Sequence, residues 1–245
     1  MIATLQWTTL AICAAIALAR VPSTLRGENR SLFGIFASIT VAILLSIQGP
    51  YLVIDRALGG INLANLLLRF VIFGAIFFMG IRISKGFDAK DAYRFITGRA
   101  GLTVLAVISA VMVTLFFMMD TSGSSAGLTG VVGTDPWNSA LLEYYGAAGR
   151  AYPAYVALAL LPAMARAVTS RLPGLIRAAA ALLGLGAVAT GLSLSFPLIP
   201  PTLGQIEFMI NYTAILCFVL GLALIWVARV VSGRAAARRK TSTEM

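Results

Sequence analysis

The basic residues of this sequence are concentrated in alternate gaps between long apolar segments. The basic gaps are residues 20–30, 82–99, 166–177 and 229–240. The gaps between them carry acidic residues and a single basic exception, namely Asp55, Arg56, Asp120, Asp135 and Glu143. Membrane proteins show this alternation because Lys and Arg beside a membrane span remain on the cytoplasmic side. The pattern predicts a chain that crosses a bilayer several times and ends in the cytoplasm.

Composition favours the same class. Hydrophobic residues make up 59% of the chain and charged residues 11%, which is too little polar surface to cover a soluble domain of 245 residues. A net charge of +10 suggests a nucleic-acid ligand in a soluble protein, but here the positive charge is spread over short gaps. We therefore expect the lipid bilayer as a partner and no nucleic acid.

Apolar runs of about 17–25 residues, the length that crosses a bilayer as a helix, predict seven spans. They are Ile2 to Ala19, Leu32 to Ile54, Ile61 to Ile81, Ala100 to Met119, Ala147 to Ala165, Ala178 to Ile199 and Leu203 to Ala228. The predicted fold is all-α, a polytopic membrane helix bundle in the plasma membrane. Residues 1–230 form a single seven-helix transmembrane domain, and residues 231–245 form a short basic cytoplasmic tail. The odd number of spans places the N-terminus outside.

The first span has one alternative interpretation. Ala17-Leu18-Ala19 has the small-x-small form of a signal-peptidase site. No Lys or Arg precedes the apolar run, however, and cleavage would send the basic gap that follows across the membrane. We therefore expect the first segment to stay as a span.

Turn-forming residues mark several helix boundaries. Gly59-Gly60 predicts a tight hairpin between spans two and three, and Asp135-Pro136 predicts an N-cap followed by proline at the first helical position. Residues 121–134 are predicted to be irregular. The apolar pattern from Trp137 to Val168 exceeds the bilayer thickness at ~1.5 Å per residue, so this segment projects outward, tilts, or breaks near Gly149 and Pro153.

The basic gap from Ser84 to Arg99 allows either a solvated connector or a short amphipathic helix. In the helical interpretation, five side chains face the lipid headgroups. They are Phe87, Ala92, Tyr93, Phe95 and Ile96.

Polar residues inside the apolar segments are the candidate functional residues, since burying such groups in a membrane is costly. Asn62, Asn65 and Arg69 are spaced i, i+3 and i+7, which places all of them on one face of a helix. That face is expected to point into the bundle. In the last span, Glu207 and Asn211 are spaced i, i+4.

These positions predict an ion pair between Arg69 and Glu207, closed by Asn62, Asn65 and Asn211. Arg150 and nearby tyrosines join it from the outer side, with Asp120 and Glu143 as alternative carboxylates. Such a cluster either binds a ligand or only fixes the register and rotation of the helices.

The absence of several residue types argues against an enzyme. The sequence contains no His, which removes zinc sites of the HExxH kind, Ser-His pairs and imidazole proton relays. Its lysines are Lys85, Lys90 and Lys240, all beyond the inner ends of spans, where none can form an intramembrane Schiff base. We therefore expect a non-enzymatic protein with no catalytic residues, no metal site and no cofactor.

The predicted tail contains a set of basic residues at the membrane surface. They are Arg234, Arg238, Arg239 and Lys240. Basic residues near an anionic leaflet contribute about 1 kcal/mol each to lipid binding. Holding anionic lipid is the simpler interpretation, and docking a cytoplasmic protein is the alternative.

Three stretches carry a resemblance to a known family: the run IDRALGGINLANLL (Ile54–Leu67), the Tyr-rich start of span five, and LPGLIR (Leu172–Arg177). They resemble a family of actinobacterial multi-pass integral membrane proteins, commonly described as uncharacterised proteins, transporters or regulators. The resemblance covers most of the chain. Longer members carry a cytoplasmic region after the membrane part, whereas this sequence ends at Met245.

Three functional classes follow. The first is a sensing, regulatory or partner-binding module with a polar cavity that faces outward. The second is a transporter or channel for a small solute, which would bind at Asn62, Asn65, Arg69 and Glu207. The third is an accessory or phage-type membrane protein that acts by packing alone. The first is favoured, because internal repeats and matched broken spans, which mark many transporters, are not evident.

Overall fold

A computed structural model describes most of the chain. The described residues are 2–27, 30–121, 123–128, 130, 135–198, 205–207, 209–210, 213–214, 216–225 and 227–228. This part of the chain is all-helical, 88% helix with no strands.

Nine α-helices are present in the described ranges. They are α1 (Ile2–Leu25), α2 (Arg30–Ser46), α3 (Gln48–Ala57), α4 (Leu63–Gly86), α5 (Lys90–Thr97), α6 (Arg99–Met118), α7 (Pro136–Thr169), α8 (Gly174–Leu192) and α9 (Leu216–Ile225). Two 3₁₀ turns, Ala126–Leu128 and Ser193–Leu198, precede α7 and follow α8.

Five of the described helices are long and apolar enough to cross a membrane, or six if the bent pair α2 and α3 forms one span. The five are α1, α4, α6, α7 and α8, the last extended by the turn that follows it. The predicted all-α class is thus confirmed. The number seven and the orientation of the termini stay predictions, because the predicted span Leu203 to Ala228 lies partly outside the described residues.

The predicted second span, Leu32 to Ile54, is wrong as a single helix. α2 ends at Ser46, Ile47 is extended, and α3 continues at an angle of 92°. Pro50 explains the break, because a proline ring clashes with the carbonyl four residues earlier, which belongs to Ser46. Within α3 the same proline occupies the third position, where a missing backbone N–H has no consequence.

α7 is the central helix of the bundle and packs on α4, α5, α6 and α8. The predicted cap is confirmed: the Asp135 carboxylate accepts a hydrogen bond from the backbone N–H of Asn138 at 2.7 Å, and Pro136 follows it. The helix continues for 34 residues through Pro153, so it does not break near that residue. At ~1.5 Å per residue it is longer than the ~30 Å hydrocarbon core of a bilayer.

The basic gap contains the short helix α5, which confirms the helical interpretation. Only part of the predicted lipid-facing surface is exposed. Phe95 is 57% exposed, whereas Ala92 and Ile96 are buried in the core at 3% and 1%. The two buried residues pack against α4 and α7, because Gly80 of α4 leaves room for close approach. A Cβ at Gly80 would lie 2.8 Å from Val156 and 3.0 Å from Ile96.

The connections fall at two ends of the bundle. We call the end that carries residues 47–65, 119–121, 123–128 and 135–138 the hairpin end, because the Asn62 amide donates a hydrogen bond to the Thr121 carbonyl there (3.0 Å). We call the end that carries residues 82–99 and 166–177 the basic end. There, the Tyr155 hydroxyl donates to the Phe95 carbonyl at 2.7 Å.

Candidate functional site: two polar clusters on α4

The first polar cluster surrounds Asp55, a fully buried carboxylate at the hairpin end. One carboxylate oxygen accepts from the backbone N–H of Asn62 at 3.0 Å and from the Ser124 hydroxyl at 2.5 Å. The other accepts from the backbone N–H of Ala64 at 3.0 Å. Asp55 therefore caps the start of α4, where backbone N–H groups have no partner inside the helix.

Asn62 completes this cluster. It is fully buried, and its backbone takes the left-handed conformation with φ 61°. Its side-chain oxygen accepts from the Tyr51 hydroxyl at 2.9 Å and from the Ser125 backbone N–H at 2.8 Å. Its amide donates to the carbonyls of Thr121 and Gly123 at 3.0 and 2.9 Å. All donors and acceptors of the side chain are used, so the Asp55–Asn62 cluster holds Thr121 and residues 123–125 against α3 and α4.

This arrangement corrects the prediction for Asn62. The residue precedes α4, which begins at Leu63, and its side chain bonds to the hairpin end and not to Arg69. Asp55 and Tyr51 were not predicted as site residues. The available signal was a carboxylate at the end of an apolar segment and just before Gly59-Gly60, since Asp commonly bonds backbone N–H groups in turns.

The left-handed backbone at Asn62 gives a first prediction. Both Asn62→Gly and Asn62→Ala remove the same side-chain hydrogen bonds, but only alanine is strained at φ 61°. We expect Asn62→Ala to be less stable than Asn62→Gly by about 1–2 kcal/mol, measured by unfolding in mixed micelles. The matched control is Asn138, which lies in α7, and there alanine should be at least as stable as glycine. Equal stability of the two Asn62 variants would contradict the prediction.

The second cluster lies between α4 and α7. Asn65 is buried and accepts a hydrogen bond from the Tyr145 hydroxyl at 3.1 Å. The Arg69 guanidinium carbon lies 5.7 Å from the centroid of the Tyr145 ring, a cation–π distance. Asn65 and Arg69 thus point into the bundle, as predicted from their spacing.

Arg150 lies on the same helix as Tyr145. Its guanidinium carbon is 4.9 Å from the centroid of the Phe196 ring. Its Nε is buried and has no hydrogen-bond partner. Glu207 and Glu143 lie close enough to attract the charge of Arg150, and Arg69 lies close enough to repel it. Neither carboxylate pairs with the buried Nε.

The predicted ion pair between Arg69 and Glu207 is not formed, although both residues are described. Arg69 lies against Tyr145, and Glu207 acts electrostatically on Arg150. The reason is packing, because the Arg69 guanidinium lies against Gly149 and the Tyr145 ring of α7. Asn211 and the basic set Arg234, Arg238, Arg239 and Lys240 lie outside the described residues.

The tyrosines predicted to lie near Arg150 and the carboxylates predicted as alternatives to Glu207 do not form one cluster in the structure. Tyr145 joins Arg69, Tyr152 packs on Phe73 with ring centroids 5.3 Å apart, and Tyr155 bonds at the basic end. Asp120 pairs through its backbone with the Asn138 side chain. Within the described ranges, no three His, Cys, Asp or Glu side chains are grouped so as to hold a metal ion.

A cavity of ≈490 Å³ adjoins both arginines, and we call it the arginine cavity. Its volume is within the range of about 300–1,000 Å³ typical of small-molecule sites. Its walls come from α4, α7, α8 and the segment leading into α9. The lining residues are Arg69, Ile72, Ile76, Met79, Gly149, Arg150, Pro153, Val156, Ala157, Leu160, Thr190, Ser193, Ala214 and Phe218.

The sequence predicts a polar cavity, but most of the residues that line this cavity are apolar. Its polar side chains are Arg69, Arg150, Thr190 and Ser193, and the two arginines lie toward the hairpin end. Both hydroxyls donate to carbonyls of their own helix or turn, as the Thr190 hydroxyl does to Gly186 at 2.8 Å. The two guanidinium groups are therefore the groups in this lining that can donate to a ligand.

Gly149 controls the position of Arg69 and gives a second prediction. A Cβ at this position would lie 3.1 Å from an Arg69 terminal nitrogen and 3.4 Å from its central carbon, which is closer than ordinary packing. A helical Gly→Ala change normally adds about 1 kcal/mol of stability. We expect Gly149→Ala to lose that gain because Arg69 must move.

The control for Gly149→Ala is Gly74→Ala in α4, where the nearest atom to a new Cβ is the Ser38 hydroxyl at an ordinary 3.6 Å. Thermal unfolding in detergent should show a higher midpoint for Gly74→Ala alone. Equal gains in the two variants would show that Arg69 is free to move.

Comparisons with known proteins add no family. No protein-family model, curated protein or solved structure matches this chain significantly. The described part of the chain defines the class as an all-helical protein, and five or six of the helices in that part are suited to crossing a membrane. The resemblance to actinobacterial membrane proteins stays a prediction.

Proposed function

We propose that this chain is a non-enzymatic, seven-helix protein of the cell membrane that binds an anionic ligand in the arginine cavity. In this proposal the N-terminus is outside, the C-terminus is cytoplasmic, and ligand binding serves a sensing, regulatory or partner-binding role. The basic gaps support this orientation, since it keeps them in the cytoplasm. The hairpin end and the arginines of the cavity then face outward.

The observation that carries the proposal is the buried Nε of Arg150, which has no partner beside a cavity that a second guanidinium also lines. Charged groups within a membrane are costly and are usually paired. Two guanidinium groups of like charge at one cavity raise that cost further, and an anion would offset it by accepting their hydrogen bonds. A purely structural pair would instead bring a carboxylate to each arginine.

The packing of α4 and α7 supports a route from this site to the basic end. Arg69 and Gly149 make contact near the hairpin end, and Gly80 and Val156 make contact farther along the same two helices. Ile96 of α5 packs into that second contact. In the proposal, a ligand that changes the separation of α4 and α7 also shifts α5, where a cytoplasmic partner would detect it.

A transporter is the second candidate, and the extent of the cavity along the bundle favours it. The lining runs along α4 from Arg69 to Met79, about 15 Å at ~1.5 Å per residue. A solute bound at the arginines would therefore be part of the way across a bilayer. Vesicles that accumulate a labelled anion, and lose this uptake in Arg69→Gln, would favour transport over sensing.

The test of anion binding uses the full chain in phosphatidylcholine nanodiscs. Hexanoate should raise the thermal unfolding midpoint of the wild type, and hexyltrimethylammonium should not. Arg69→Gln should lose the stabilisation by hexanoate, because a charge-assisted hydrogen bond of about 1.5–3 kcal/mol is removed.

Arg56→Gln is the matched control, since Arg56 is exposed at the hairpin end and does not line the cavity. It should keep the full effect of hexanoate. Equal stabilisation of Arg69→Gln and the wild type, or stabilisation by the cation, would exclude the proposed function.

A further inference from the structure

We infer that the ligand of the arginine cavity is an amphipathic anion with a single apolar chain, whose head lies at Arg69 and Arg150. This inference rests on the proposed function and narrows it to a chemical class. It follows from how polar and apolar side chains are distributed along the cavity.

The two charged side chains are at one end. Arg69 lies against Gly149, which precedes Arg150 in α7, so both guanidinium groups are at the same end of the cavity. The head of a ligand placed there meets two guanidinium groups, one with an unpaired Nε.

Beyond the arginines, the walls that α4 and α7 supply are apolar. On the opposite wall, the hydroxyls of Thr190 and Ser193 donate to carbonyls of α8. α4 supplies Ile72, Ile76 and Met79, one or two turns apart along one face. The remaining apolar wall residues beyond this point are Pro153, Val156, Ala157, Leu160, Ala214 and Phe218.

These walls extend for about 10 Å along α4 from Ile72 to Met79 and about 10 Å along α7 from Pro153 to Leu160, at ~1.5 Å per residue. A small hydrophilic anion such as sulfate would leave most of this apolar length without a partner. An acyl or alkyl chain fills it and buries its methylene groups, while its charged head pairs with the arginines. A neutral lipid would leave the Nε of Arg150 unpaired, and a cationic amphiphile would be repelled.

The experiment measures saturable binding of labelled dodecanoate to the full chain in phosphatidylcholine nanodiscs, with binding to empty nanodiscs subtracted. Unlabelled competitors then separate head from chain. Dodecanoate and dodecyl phosphate should both compete. The one with the lower inhibition constant shows whether the cavity prefers a fatty acid or a lipid phosphate. Dodecanol and dodecyltrimethylammonium should not compete. From butyrate to dodecanoate, affinity for the free aqueous ligand should rise by up to about 4-fold per methylene.

A cavity-filling variant tests where the chain lies. Ala157 is buried in the lining about 10 Å below Arg150 at ~1.5 Å per residue, so Ala157→Leu should shorten the apolar space. We expect it to weaken dodecanoate by about 10-fold or more and to leave butyrate unchanged, which also shows that the variant is folded. Ala165→Leu on the exposed face of the same helix is the matched control and should bind like the wild type.

The outcomes separate this inference from the proposed function. If butyrate and dodecanoate bind equally and both need Arg69, the ligand is a small hydrophilic anion; the inference falls and the proposed function stands. If Ala157→Leu leaves dodecanoate binding intact, the chain lies in the surrounding lipid and the inference also falls. If no anion binds in an Arg69-dependent way, both fall.

Discussion

Asp55→Ala is expected to lower the free energy of unfolding by about 2–6 kcal/mol, the largest loss of stability predicted for this chain. The substitution leaves the buried backbone N–H groups of Asn62 and Ala64 without acceptors, at about 1–3 kcal/mol each. It also frees the Ser124 hydroxyl, which bonds the same carboxylate. Unfolding by SDS in mixed micelles measures the change.

Asp55→Asn refines the same test. It keeps the shape of the side chain, but its NH₂ group cannot accept a hydrogen bond. It should therefore satisfy one of the two backbone donors and fall between the wild type and Asp55→Ala. In both variants, proteinase K should cleave residues 121–125 faster, because the Asp55–Asn62 cluster holds this segment through Asn62 and Ser124.

The matched control is Asp135→Ala at the cap of α7. That carboxylate accepts a hydrogen bond from the Asn138 N–H, and the loss of this cap should cost about 1 kcal/mol. If Asp55→Ala costs no more than Asp135→Ala, the cluster does not stabilise the hairpin end as proposed.

Arg150→Met is expected to have opposite effects on stability and binding. Removing the guanidinium relieves a membrane-burial cost of about 2.5–3.5 kcal/mol and loses a cation–π contact with Phe196 of about 0.5–2 kcal/mol. Methionine keeps most of the length and a favourable sulfur contact with the ring. The variant without ligand should therefore be more stable by about 1 kcal/mol, while its affinity for an anion should fall by about 10- to 100-fold.

The sign of the stability change separates a ligand site from a structural latch. If Arg150 only fixed the position of Glu207, breaking a buried pair would destabilise the protein by about 3–5 kcal/mol. Arg56→Met provides the baseline, because this arginine is exposed and substitution should change stability by less than about 0.5 kcal/mol. A destabilised Arg150→Met with unchanged anion binding would refute the ligand site.

Local rules predicted the features that depend on neighbouring residues. The cap at Asp135 and Pro136 was correct because an N-cap is a contact over three residues. The break at Ser46 was also within reach, since Pro50 acts on the carbonyl four residues before it. The predicted span from Leu32 to Ile54 did not take that effect into account.

Asn62 shows where a periodicity argument fails. Its spacing from Asn65 and Arg69 places it on their face only if the helix includes it, and the left-handed backbone at Asn62 keeps it outside. Because of this backbone conformation, Asn62 bonds to Asp55 and does not join the arginines. The bond from Ser124 to Asp55 joins residues 69 apart in sequence, and no local pattern predicts it.

The alternating charges and the lengths of the apolar segments were sufficient by themselves to predict the helical class and the positions of most long helices. The reason is local, because the length of a helix follows from its number of residues and a helix satisfies its own backbone hydrogen bonds in a membrane. The sequence also marked Arg69 and Arg150 as basic residues inside apolar segments. Only the tertiary structure decided which groups these arginines meet. The rotation and close approach of α4 and α7 placed Arg69 on Tyr145 and left Arg150 with an unpaired Nε beside an apolar cavity, since packing between distant segments sets those contacts.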